Sequence, residues 1–453
     1  MRAPFDQASG AWSTSTPQDS AGIAAWQLAN AWSVAEHLGA TNPFYAGRLG
    51  ALPAERTAEA FRTLSVTTKQ EVVDDCTASP PYGSRTTAAA HDVRQVVETS
   101  GTSGRGREVH VLDAADLAAI ERTEAVGFWW AGVRPGTPVL LTLPVGVTAA
   151  GLWYLGGLRL LGANVLAVGS YPTERKVDVL RRYAAEVVIG TPSYVQRLAA
   201  ACEDEGIDPR TVGVRSLLVA GERYSAAWVR EVEDRWGATL YEQYGCTERA
   251  IAWTCPGGAR RDDAAVALHV PAESGYVEVV DPATGRHVEG GETGELIVTP
   301  FGAGASPLLR YATGDRVEWV PPGACACGRP VGGIRAGRVE RYDNMLKVRG
   351  MNVWPEALDA AIFGVADVTD YRGVVRLGDD GRETIVVTLE CPPPRAGSVA
   401  TEVVASVRRA VGVRVEVEVV PIGTLLGQVP EGFVKIARWR DERPSARDEE
   451  QRR

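Results

Sequence analysis

The chain has no apolar run fit to cross a membrane. Its most apolar stretch, residues 149–169, contains Arg159 and five glycines and reads as a buried helix running into a strand. Residues 1–12 hold no apolar signal core. An excess of positive charge is lacking too. With 48 lysines and arginines against 57 aspartates and glutamates the formal charge is -9, which argues against a general nucleic-acid binder, because neutralising phosphates needs a basic face. No internal repeat and no long low-complexity linker interrupts the sequence. Seven cysteines without a secretory signal point to a reducing compartment, where thiols stay free or bind metal rather than pair as disulfides. The expectation is a cytoplasmic chain with neither membrane nor nucleic acid as partner.

What is present is enough for a large core. The 453 residues are 45% hydrophobic and 23% charged, a length that suggests two or three domains. Strand-like runs at 139–142, 165–168, 187–189 and 216–219 alternate with helical patterns such as 174–183 and 226–236. That rhythm predicts an α/β fold of layered α/β subdomains. From 275 to 309 the pattern becomes β-rich and turn-rich, which suggests a smaller sheet or small distorted β-barrel. Near Asp343 begins a last segment with strands at 373–376, 384–389 and 413–420, enough for an independent α+β lobe.

The chemistry starts at Thr99-Ser100-Gly101-Thr102-Ser103-Gly104-Arg105-Gly106-Arg107. Glycines let backbone N–H groups approach phosphate oxygens, hydroxyls add donors, and arginine supplies a charged fork, so the run reads as a polyphosphate loop. It has neither the Lys-Ser/Thr ending of the Walker type nor a G-x-G-x-x-G pattern, and alone it fits a solvent loop as well. Its meaning comes from the blocks that follow in order. These are Ala220-Gly221-Glu222-Arg223, Tyr241-Glu242-Gln243-Tyr244-Gly245-Cys246-Thr247-Glu248, Gly291-Glu292-Thr293-Gly294-Glu295-Leu296 and Arg310-Tyr311-Ala312-Thr313-Gly314-Asp315. Together with the entry segment 64–69, the stretch 190–194 and the late run 343–355, this series resembles the adenylate-forming superfamily of acyl-CoA synthetases, luciferases and adenylation domains. Within it the chain looks most like the phenylacetate-CoA ligase branch.

The resemblance implies an N-terminal adenylate-forming domain over 1–340 and a mobile C-terminal domain over 341–453. It implies that the loop from Thr99 to Arg105 holds the β- and γ-phosphates of ATP, that Tyr244 stacks on adenine and that Thr247 bonds the α-phosphate. Glu248 would hold Mg²⁺, a hard cation that prefers carboxylate and phosphate oxygens. Gly221, Glu222, Glu242, Gln243 and Gly245 would line the nucleotide, and Asp315 would accept from the ribose hydroxyls. The implied reaction has two halves: a carboxylate attacks the α-phosphorus and expels pyrophosphate, then a thiol attacks the acyl-adenylate. The first half builds negative charge around phosphorus and needs cations more than a base, which fits the lack of an obvious nucleophile, base and acid set. Lys435 matches the lysine that relatives bring to that charge, although Val434 precedes it where relatives have glycine. Asp343 matches the hinge between the half-reactions. Arg341 would hold ribose by that count, while Gly337-Arg338 offers a second match.

A second group is Cys255, His269, Cys325 and Cys327, with the latter pair in a C-x-C-G turn. Three thiolates and one imidazole are a ligand set for structural zinc, and some relatives resemble this arrangement; four unrelated side chains are the other reading. Cys246 reads as a packing residue. Val147, Thr148, Gly221 and Tyr241 fall near segments that line the acyl site in relatives, an uncharged and partly aromatic setting that favours an aryl or arylalkyl acid. Coenzyme A is the family's default acceptor. A carrier-protein thiol, an amine, activation of nitrite to diazotise an arylamine, a homodimer and a non-catalytic nucleotide-binding homologue stay open.

Overall fold

The structure is a computed structural model that describes residues 3–98, 108–146, 149–222, 224, 226–247, 249, 251–259, 266–302, 304–342, 346–348, 351–353, 355–377, 383–427 and 438–443. The chain divides into two compact units, one of Met1–Arg223 and Val232–Glu340, the other of Tyr224–Glu231 and Arg341–Arg453.

The first unit opens with helices α1 (Ser20–Thr41), α2 (Pro43–Leu49), α3 (Ala58–Arg62) and α4 (Lys69–Ala78). Strands β1 (Gln95–Glu98) and β2 (Val109–Leu112) pair antiparallel and lead into α5 (Ala114–Trp130). Asp113 starts α5 by a capping box with Asp116, each carboxylate taking an N–H that the first turn would otherwise leave unpaired. There follow β3 (Pro138–Leu141), α6 (Ala149–Leu160), β4 (Asn164–Ala167), α7 (Thr173–Arg182), β5 (Val187–Gly190), α8 (Pro192–Asp204), β6 (Ser216–Ala220), α9 (Ala226–Trp236) and β7 (Thr239–Gly245). This is the alternation that the sequence predicts, with the bounds shifted only at their ends. The five strands are parallel in the order β4-β3-β5-β6-β7. The near-continuous Val, Leu and Ile runs of β3, β5 and β6 suit strands covered on both faces.

After β7 come β8 (Ile251–Thr254), β9 (Ala267–His269), β10 (Gly275–Val280), β11 (Thr293–Pro300), β12 (Tyr311–Val320) and β13 (Gly333–Arg335), which extend the sheet antiparallel in the order β7-β8-β9-β13-β12-β11-β10. A short β14 (Glu340–Arg341) ends this stretch. The β-rich region from Gly275 is therefore an arm of antiparallel strands joined to the parallel sheet through β8 and β9.

In the second unit β15 (Leu346–Val348) and β16 (Met351–Val353) form a hairpin, and α10 (Pro355–Phe363) follows. Strands β17 (Asp370–Leu377), β18 (Glu383–Glu390), β19 (Val415–Val420) and β20 (Trp439–Asp441) make a sheet in the order β19-β18-β17-β20. Helix α11 (Ala396–Val411) buries Val399, Val403 and Val407, one per turn, in the core of Leu358, Tyr371, Ile385 and Val387. The helix α12 (Thr424–Gly427) precedes residues 428–437, which lie outside the described chain. No helix among the described residues is long and apolar enough to cross a membrane.

Candidate active site

The strand order places a crevice before any side chain is considered. β3 lies between β4 and β5, so the chain leaves β3 on one side and returns on the other, and the C-terminal ends of these strands flank the topological switch point where open α/β sheets bind ligands. At that end α8 begins, capped by Thr191, whose hydroxyl accepts from the Tyr194 amide at 3.3 Å. Ser193 gives its backbone N–H and its hydroxyl to the Glu222 carboxylate at 2.9 and 2.8 Å. Glu222 therefore ties the end of β6 to the start of α8. Gly221 before it has φ +83°, a left-handed conformation that a Cβ would strain.

β7 carries five of the predicted residues, Tyr241 to Gly245, and its two faces do different things. On one face Glu242 accepts from the Gly337 amide at 2.8 Å, and the Tyr244 hydroxyl donates to Asp315. Asp315 is buried on β12, with its own amide bonded to the Thr313 hydroxyl at 3.1 Å. The Tyr-Gly-x-Thr-Glu block and the Thr-Gly-Asp block, 71 residues apart, thus meet through a phenol and a carboxylate. Gln243 and Tyr241 point to the opposite face by the alternation of a strand. The Gln243 side-chain oxygen accepts from the Tyr154 hydroxyl of α6 at 2.6 Å. The Tyr241 hydroxyl donates to the Pro256 carbonyl at 3.3 Å, and burial pushes that phenol up from its usual pKa.

The predicted phosphate loop from Thr99 to Arg105, together with Glu248, Val147 and Thr148, lies outside the described residues, but their neighbours are firmly held. Thr247 is half-buried beside Cys246. Arg249 is buried with φ +69°, an uncommon conformation for a side chain with a Cβ. Its guanidinium lies 3.2 Å from the Asp116 carboxylate and donates to the Gly302 carbonyl at 3.1 Å. Asp116 also receives the amides of Gly304 and Ala305. On the other side Glu108, fully buried, accepts from the Tyr311 hydroxyl at 2.6 Å and lies 3.4 Å from the Lys69 ammonium. The exit of the loop is thereby joined to the strand that carries Asp315. Sequence reasoning missed Asp116, Arg249 and Glu108, whose partners lie far away along the chain.

It also missed Glu124 and Tyr154. Glu124 sits in the run Glu124-Ala125-Val126-Gly127-Phe128-Trp129-Trp130, and a lone acid in such an apolar half-helix is the signal that could have found it. Helices α5 and α6 approach closely here. A Cβ on Gly157 would lie 2.6 Å from that of Glu124, and one on Gly127 would enter the Trp253 ring.

The four predicted zinc ligands converge. The donor atoms of Cys255, His269, Cys325 and Cys327 all lie within 4.8 Å of one another. Cys255 follows β8, His269 ends β9, and the two other cysteines sit in the turn between β12 and β13. The His269 Nδ1 lies 3.1 Å from the Val331 carbonyl, which turns Nε2 toward Cys327 at 3.2 Å. The adjacent Arg329 donates to the Ala8 carbonyl and stacks on Trp130 at 4.0 Å, so this corner also pins the N-terminal segment.

Of the remaining candidates, Arg338 is largely exposed and lies 3.8 Å from Glu318. Arg341 is half-buried at the start of the second unit; Asp343 and Lys435 lie outside the described residues.

Comparison with known proteins follows the same lines. The family model described as "AMP-binding enzyme" matches residues 47–303, more than half of the chain. The phenylacetate-coenzyme A ligase of Thermus thermophilus is 29% identical over 318 residues, 69% of this chain and 69% of that one. The enzyme of the same name from Pseudomonas putida is 26% identical over 409 residues, 87% and 89% of the two chains. Among solved structures, a 2-hydroxyisobutyryl-CoA ligase in the postadenylation state superposes with a TM-score of 0.81 at 23% identity, covering 96% of this chain and 91% of that one, a likeness of fold. By this match, and by the blocks that meet on β7 and β12, the chain belongs to the AMP-binding enzyme family of adenylate-forming proteins.

Proposed function

We propose that this protein joins a carboxylic acid to coenzyme A at the expense of ATP, by way of an acyl-adenylate, and that the acid is aryl or arylalkyl. The observation that carries the reading is the Tyr244–Asp315 contact. It sets an aromatic ring and a carboxylate side by side, as the adjacent adenine and ribose of one nucleotide require. The curated relatives named phenylacetate-coenzyme A ligase support the acid and the acceptor.

In the first half-reaction a carboxylate oxygen of the acid bonds to the α-phosphorus while the bond to pyrophosphate breaks. The residues Thr99, Ser100, Gly101, Thr102, Ser103, Gly104 and Arg105 bind the departing phosphates, and Thr247 orients the α-phosphate. Gly221, Glu222, Glu242 and Gly245 line the nucleotide, while the Gln243 side chain turns to the other face of β7, toward Tyr154. Glu248 supplies the carboxylate suited to Mg²⁺, which neutralises phosphate charge when bound. Lys435 offsets the charge that grows at phosphorus. In the second half the thiol sulfur attacks the acyl carbon, AMP departs with the electrons of the broken acyl–oxygen bond, and the thiol proton passes to solvent. Asp343 is the hinge between the two arrangements of the 341–453 domain, and Arg341 holds the ribose. Val147, Thr148, Gly221 and Tyr241 face the acyl group.

Cys255, His269, Cys325 and Cys327 fit a structural zinc ion. Three thiols and an imidazole are clustered, three of the four are buried, and the histidine ring is fixed by a backbone carbonyl. The ion would brace the β8–β9 and β12–β13 corners and takes no step in the reaction. About one zinc per chain by elemental analysis, with a lower melting temperature after chelation, is the expected result; a metal-free protein of unchanged stability would remove the ion.

The decisive experiment measures pyrophosphate release with ATP and Mg²⁺ against aryl, arylalkyl and short aliphatic acids, with and without coenzyme A. One set contains nitrite plus an arylamine. Thioester formation from an aryl acid is expected, with adenylation abolished and ATP binding kept in Lys435→Ala. Release that ignores coenzyme A would instead assign another acceptor.

A further inference from the structure

Glu124 is 1% exposed, and among the described residues neither of its carboxyl oxygens has a hydrogen-bond partner. Such a group opposes folding, so its presence in a helix that is otherwise apolar on this side calls for a partner that arrives from outside. The surroundings say where from. The Tyr154 hydroxyl donates its only proton to Gln243 and has none for Glu124. Phe128 stands edge-on to Tyr154 at 5.5 Å and to Trp253 at 5.1 Å, while Trp253 lies 6.3 Å from Tyr154. A carboxyl, a phenol and an amide from α5, α6 and β7 thus stand together in an aromatic wall.

This group lies on the far side of β7 from the Tyr244–Asp315 contact, on the face shared by Tyr241 and Gln243. α6 starts just after the loop that leaves β3 at the switch point, and Tyr154 lies little more than one turn into it. The Tyr154–Gln243 bond joins this face of β7 to α6, the helix that begins beside the switch point, and Glu124 stands behind it. We infer that these three residues close the far end of the acyl site, and that the acid activated carries an N–H or O–H donor remote from its carboxylate, received by Glu124. The inference rests on the acyl-activating reading above and narrows its substrate class. An acid without the donor leaves the Glu124 carboxyl unsatisfied, and a site built around such a bond discriminates strongly against analogues that lack it. Burial alone pushes the Glu124 carboxyl well above the usual range and so favours its neutral form, which can meet an amine or a hydroxyl; an incoming ammonium would instead favour the ionised form.

The test compares matched acids on the unmodified protein, Glu124→Leu and Glu124→Gln. Benzoate and phenylacetate are set against their meta and para hydroxy, amino and aminomethyl derivatives, read by acid-dependent ATP–pyrophosphate exchange. A donor-bearing acid is expected to exceed its parent by about tenfold or more in kcat/KM. Glu124→Leu erases or inverts that preference. Glu124→Gln keeps it for a hydroxyl or neutral amine and loses it for the aminomethyl cation, which tells the two kinds of donor apart. Both variants should melt no lower than the parent, so lost discrimination is not lost folding. Equal use of parent and donor-bearing acids, or a preference unchanged in Glu124→Leu, overturns the inference and leaves acyl activation standing. Exchange with no acid of the series overturns both.

Discussion

Glu124 and Glu278 are equally buried, each 1% exposed, yet they have opposite surroundings. Glu278, on β10 of the antiparallel arm, faces the fork of Arg310 at 3.0 and 3.2 Å, and Arg62 stands 4.0 Å away. Arg310 also donates to the carbonyls of Arg62 and Leu64 and takes a left-handed φ of +45° to do so. That carboxylate is a clamp, holding the segment after α3 against the sheet. Between α5 and α6 no cation among the described residues answers Glu124. A buried charge that is answered within the fold serves the fold, while one left unanswered needs a reason outside it.

The comparison breaks most visibly at Arg310. Arg310→Met leaves Glu278 buried without its main counter-charge, and the expected loss is about 3–5 kcal/mol of stability, enough to cost soluble yield. The double variant Arg310→Met/Glu278→Leu should regain most of it, since a well-packed apolar pair often matches a buried ion pair. Urea melts of the three proteins decide the matter; a double variant as weak as the single would mean that the contacts of Arg310 with the two carbonyls, and not the ion pair, hold this corner.

Glu124→Leu should move stability the other way. Removing an unpaired buried carboxyl is expected to raise the unfolding free energy by about 1–3 kcal/mol, seen as a higher urea midpoint with an unchanged slope. The gain depends on pH. The folded carboxyl has a raised pKa, so the unfolded chain ionises first, near its ordinary 4.5, and native stability drains away from there upward until the folded group ionises too. The advantage of Glu124→Leu is therefore expected to be small below about pH 4 and to widen toward neutrality. A constant advantage across that range would mean that packing, and not ionisation, sets it.

The same contrast explains what could be read from the amino-acid sequence. Local order signals itself: the valine and leucine runs of β3, β5 and β6, the cap at Thr191 and the αL glycine that ends α11 are decided within a few residues. The order of the blocks led to the family, and the Cys-x-Cys-Gly turn led to a cluster whose other members follow β8 and end β9. What sequence could not supply is the partner across space. Arg249 finds Asp116, Glu108 finds Tyr311, and Gln243 finds Tyr154 only once the sheet has assembled. Gln243 was assigned to the nucleotide by its block, yet its described bond runs to the helix on the opposite face from Tyr244. A block gives order along the chain, and only the pleat tells which neighbour each side chain meets.

Asp315 sharpens the comparison with the smallest effect. It is buried like the two glutamates, but its described partner is a neutral phenol, so removing that partner strands no counter-charge. Tyr244→Phe keeps the ring proposed to stack on adenine and removes the hydroxyl that donates to the carboxylate. A net hydrogen bond of about 0.5–1.5 kcal/mol corresponds to a rise of roughly two- to tenfold in the KM for ATP, with kcat nearly unchanged if the bond orients the site equally before and during reaction. Asp315→Asn should cost more, because it weakens the acceptor proposed for the ribose hydroxyls as well as that for Tyr244. Steady-state kinetics in ATP for both variants orders the two effects. Should Tyr244→Phe lower kcat and leave KM alone, the phenol acts in the transition state, and the contact with Asp315 is a resting position rather than the frame of the nucleotide site.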